Sequence, residues 1–142
     1  MPANKKGIPI WLHKADNDWL NVQNNLAASR IPWDTVCFHA QQAIEKSLKA
    51  LLLHRGIVPP RIHDLVELMD SSPVDSAGLK QWRKDFRELN GFAVKSRYGG
   101  RDPAPAKARD VVKRAERIRK AILDKIEDKV AKRKAVGAKR KK

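Results

Sequence analysis

The chain has 142 residues, with 31 Lys and Arg against 16 Asp and Glu, giving a net charge of +15. That length suits one domain with its own core, and the longest uninterrupted apolar run, Ala50 to Leu53, falls far short of the roughly 20 residues needed to cross a bilayer. A single cysteine, Cys37, excludes an internal disulfide, and with no apolar stretch of signal-peptide length near the N-terminus a cytoplasmic location is expected.

Apolar residues recur at spacings of three and four along five segments, and no segment alternates long enough for a strand, so the expected class is all-α. The first helix places Leu12, Ala15, Trp19, Val22 and Leu26 on one face. The second follows Pro32 and carries Trp33, Val36, Cys37, Ala40, Ile44, Leu48 and Leu51 inward, with Gly56 as a left-handed cap and Pro59-Pro60 preventing its resumption. A short third helix spans about 62–69. The fourth, started by Asp75 or Ser76 and ending near Lys95, has Leu79, Trp82, Phe86, Leu89 and Ala93 in rhythm. Asp102-Pro103 reads as cap plus first-turn proline of a fifth helix, which turns Ala108, Val111, Ala115, Ile118, Ile122 and Ile126 inward. An antiparallel up-down bundle of four long helices and a short one is the natural packing. The expected organisation is a flexible N-terminus over 1–9, the bundle over 10–128 and a basic, disordered tail over 129–142. From Lys129 onward the chain has eight basic residues and no acid, a distribution that favours polyanionic partners through counterion release.

The run FHAQQAIEKSLKALLLHRG over 38–56, followed by His63-Asp64-Leu65, resembles the HEPN domain family. The resemblance covers about residues 10–125 and implies a helical bundle, like the substrate-binding half of nucleotidyltransferases. It also implies an association with nucleotide or RNA, a homodimer, and a partner such as a separately encoded minimal nucleotidyltransferase. Family ribonucleases carry an Arg followed after four to six residues by His. From Arg97 those gaps reach Asp102, Pro103 and Ala104, and from Arg101 they reach Ala106, Lys107 and Ala108, so the pair is absent. No catalytic residue is assigned. The reading is a non-catalytic module binding nucleotide, RNA or a partner protein. The alternatives are a toxin-like ribonuclease of a toxin–antitoxin pair, built around Arg97, Tyr98 and His39, and a nucleic-acid-binding accessory protein acting through its tail.

Two groups of binding residues stand out. His39, Gln42, Lys46 and Lys49 recur at helical spacing as a polar stripe on the second helix. Arg97, Tyr98 and Arg101 surround Gly99-Gly100 just before a helix start, where an anion is favoured, and Arg97-Tyr98 matches part of an Arg-Tyr-Pro element of HEPN relatives. Asp64 suits a helix start, and Glu45 to Lys49 is a favourable i,i+4 ion pair worth only about a few tenths of a kcal/mol. The four histidines, His13, His39, His54 and His63, have no metal-ligand spacing, and no cofactor or metal is expected.

Overall fold

A computed structural model describes residues 5–71, 76–93 and 102–140, excepting the side chains of 76–77 and 128–140. Among the described residues all regular structure is helical: α1 (Gly7–Leu26), α2 (Trp33–His54), α3 (Leu65–Asp70), α4 (Ser76–Leu79), a 3-10 turn (Lys80–Trp82), α5 (Arg83–Asn90) and α6 (Pro105–Arg140). No described helix is long and apolar enough to cross a membrane. The helix α1 begins within the segment expected to be flexible, and α6 continues past Asp128 to Arg140.

The central element is α2, which packs against α1, α3, α5 and α6. Every residue from Ala40 to Leu53 is buried except Gln42 and Lys46, which are half-buried. The stripes read from sequence meet in one cluster: Trp19 from α1, Ile44 and Leu48 from α2, Phe86 from α5, and Ile118 from α6. A helix so enclosed must end sharply. Gly56 adopts φ +81°, its N–H reaches Leu53 O at 2.9 Å and the Ile57 N–H reaches Leu52 O at 2.9 Å, the two bonds of a Schellman cap.

Several helix boundaries differ from the sequence reading: α3 begins at Leu65 rather than near 62, and α5 ends at Asn90 rather than near 95. The fourth helix is not continuous, because the chain tightens to 3-10 geometry at Lys80–Trp82 before α5 resumes. The first-turn proline of the last helix is Pro105 rather than Pro103. A residue preceding proline is pushed out of the helical region, so Ala104 stays outside the helix while its carbonyl accepts from the Ala108 N–H at 2.9 Å.

Charged side chains fasten α5 to α6. Arg114 reaches Asp85 at 3.0 Å and Glu88 at 2.7 Å, and Lys107 reaches Glu88 at 2.8 Å. Hydrogen bonds from Arg114 and then Lys107 hold the Glu88 carboxyl down to about 2. Burial pushes the Cys37 thiol up to about 12, with the Asp34 carboxylate adding to the effect, so Cys37 is a packed side chain and not a nucleophile at neutral pH.

Candidate functional site

The enclosure of α2 gives its polar residues partners that sequence spacing alone does not reveal. Asp18 of α1 is 6% exposed and collects two residues of the predicted stripe. His39 Nδ1 lies 2.8 Å from Asp18 Oδ1, and Lys46 Nζ donates to Asp18 Oδ2. Further along α2, Glu45 is 2% exposed and holds a second cluster: Lys49 Nζ at 3.4 Å from Oε2, and His63 Nδ1 at 2.9 Å from Oε1. Lys49 also lies 5.2 Å from the centre of the Trp11 ring, a cation–π contact that helps compensate its burial. The predicted stripe is thus split in two, with His39 and Lys46 on Asp18 and Lys49 on Glu45. Gln42 donates to Gln41 Oε1 at 2.6 Å, and Gln41 Nε2 donates to the His63 carbonyl at 3.2 Å.

With Asp18 and Glu45 ionised, each imidazole donates from Nδ1 and presents Nε2 as an acceptor in its neutral form. The lysines are matched one for one by carboxylates, so this seam carries no net positive charge when the histidines are neutral. Each imidazole is oriented by a carboxylate, and each lysine is ion-paired. Among the described residues no group of His, Cys, Asp and Glu side chains could hold a metal ion.

Asp18 is legible in principle. It lies three residues after Ala15 and four before Val22, an acid set among core positions, and such an acid requires a buried partner. Spacing makes Glu45 half of an i,i+4 helix pair but does not show that both it and Lys49 are buried. Asp64 is where the sequence puts it: Oδ1 accepts from the Val66 N–H at 2.9 Å and the Glu67 N–H at 3.1 Å, capping α3. The side chain of Asn90 locks this cap, accepting from the Leu65 N–H at 2.9 Å and donating to Asp64 Oδ1 at 3.2 Å. Arg97, Tyr98 and Arg101 lie outside the described residues.

Most of the chain's excess positive charge gathers on α6. This helix has fourteen Lys and Arg against five Asp and Glu, a net +9 of the chain's +15. Its 36 residues span about 54 Å at 1.5 Å per residue. Between α6 and α1 runs a furrow, with a hollow of about 610 Å³ over Trp19 and Leu20. A smaller hollow of about 170 Å³ lies beside Leu26 and Arg109.

Comparison with known proteins agrees with this architecture. A crystal structure of TT1696 from Thermus thermophilus superposes with a TM-score of 0.70 at 25% identity, covering 84% of this chain and 98% of that one. No curated protein matched the sequence. The HEPN domain family matches residues 8–126, a span that takes in α1 to α5, both carboxylate clusters of α2 and the core-facing turns of α6. With well over half of its length matched, and with the helical bundle that the resemblance implies, the chain belongs to the HEPN domain family.

Proposed function

We propose that this HEPN protein is a non-catalytic module that binds RNA, with α6 as its electrostatic face. The observation that carries the reading is the concentration of charge: one helix has a net +9, and Lys113 and Lys120 are exposed on it with no carboxylate partner among the described residues. A cationic rod of this kind attracts a polyanion chiefly by releasing its condensed counterions. The α2 clusters support the non-catalytic part. Their lysines are neutralised by Asp18 and Glu45, and the Arg-His pair of the family's ribonucleases is absent from the sequence. A nucleotide or a partner protein, such as a minimal nucleotidyltransferase, is the competing ligand for the same charge.

Salt dependence tests this reading. Replacing the eight cations from Lys129 onward with glutamine, a residue of similar helix propensity, keeps the chain length and removes charge alone. Binding to single-stranded RNA should weaken, and the slope of log affinity against log salt should flatten by about 0.7 for each phosphate that is no longer neutralised. An unchanged affinity and slope would show that the tail has no part in binding.

One observation favours a second reading, a ribonuclease of the toxin type. Asp18 holds the Nδ1 of His39 at 2.8 Å and leaves Nε2 available, the arrangement of a general base and its orienting carboxylate. The two readings separate on whether bound RNA is cut.

A further inference from the structure

We infer that the furrow between α1 and α6 is a binding site for single-stranded RNA, with the strand lying along α6 and its bases stacking on arginine planes. The inference deepens the RNA-binding reading and rests on it. At 100° per residue, Arg109, Lys113 and Lys120 fall within about 40° of one another around the helix. All three line the furrow and are exposed. From Arg109 to Leu123, residues that line the two hollows, α6 advances about 20 Å, enough for a few nucleotides. A row of cations along one wall is what a continuous phosphate backbone requires.

Stacking surfaces lie along the same seam. The Arg109 guanidinium lies 4.9 Å from the centre of the Trp33 ring, and that of Arg119 lies 5.5 Å from the centre of the Trp19 ring. An arginine held against a tryptophan is pre-ordered, and unpaired bases stack on guanidinium planes while paired ones cannot reach them. Arg119 uses an N–H on Asp16 at 2.6 Å, which fixes the plane without neutralising its neighbour Lys120. The facing wall on α1 supplies the amides of Asn17 and Gln23, which can both donate to and accept from base edges. The two carboxylates in the furrow, Asp16 and Glu116, are outnumbered by its four cations. A bare phosphate-binding groove would not need the tryptophans or the amides, and a duplex could not use them.

The test compares full-length variants of equal charge. Lys113→Glu with Lys120→Glu reverses two furrow cations, and Lys80→Glu with Lys84→Glu makes the same charge change at exposed positions outside the furrow. With a labelled oligoadenylate of about 12 nucleotides, followed by anisotropy, the furrow pair should lose about tenfold or more in affinity and the control pair less than about threefold. Arg109→Lys keeps the charge and removes the plane; it should lose about fivefold on oligoadenylate and almost nothing on a duplex. Unchanged thermal midpoints would show that the variants are folded. Equal losses from both pairs would overturn the furrow site while leaving RNA binding by α6 intact. Wild-type protein that binds no RNA would end both readings. Competition by polyglutamate as effective as that by RNA would overturn the RNA site and identify the furrow as one for an acidic protein.

Discussion

Replacing Glu45 with glutamine is expected to lower stability by about 3–5 kcal/mol, the cost of leaving one member of a buried pair uncompensated. Glu45 is 2% exposed and Lys49 6%, and among the described residues no other carboxylate pairs with that ammonium. His63, whose side chain is 73% exposed, would lose an acceptor that water can replace, so the effect should fall on Lys49. The pairwise origin can be checked by changing both residues. Glu45→Leu with Lys49→Met removes the buried charges together, and its stability should return to within about 1 kcal/mol of the parent. Urea titration measures both. A single variant as stable as the parent would mean that the seam opens to water in solution.

Leu48→Ala is expected to cost about 2–5 kcal/mol, the range for a buried leucine whose cavity does not collapse. The residue is 1% exposed and sits in the cluster formed by α1, α2, α5 and α6, so several helices would have to move to fill the space. Thermal and urea unfolding should agree on the loss, and a change below about 0.5 kcal/mol would place the side chain at the surface.

The parts of the fold that are legible in sequence are those set by periodicity and local chemistry. The apolar rhythm of α2 and α6 identifies their buried faces because a helix has only one way to place residues three and four apart on the same side. Gly56 is legible for a different reason: the left-handed conformation it adopts is open to glycine at no steric cost. What periodicity cannot supply is partnership between elements. His39 and Lys46 share one stripe with Lys49 by spacing, and only Asp18 on α1 and Glu45 on α2 divide them. The 3-10 turn at Lys80–Trp82 is also invisible in sequence, since Leu79, Phe86 and Leu89 keep their spacing across it. In the choice between Pro103 and Pro105 at the start of α6, the restriction on the residue before a proline is the stronger signal.

The α2 clusters and α6 divide two tasks. Buried carboxylates pair with His39, Lys46 and Lys49 of α2, whereas Lys113 and Lys120 of α6 are exposed and are the cations that the proposed RNA binding would use. This division follows from charge matching: a helix enclosed on most sides must neutralise its ions, while one with a solvent face can leave them free.

The most direct measurement is the state of RNA after it has been bound. Purified protein is incubated with labelled single-stranded RNA in the presence of chelator at low salt, and bound and cleaved fractions are read from native and denaturing gels of the same reaction. The expected result is RNA that is retained by the protein, released by raising the salt, and recovered at full length. RNA that is cut by the parent protein and left whole by a His39→Ala variant would contradict the non-catalytic reading and assign the Asp18–His39 pair to catalysis.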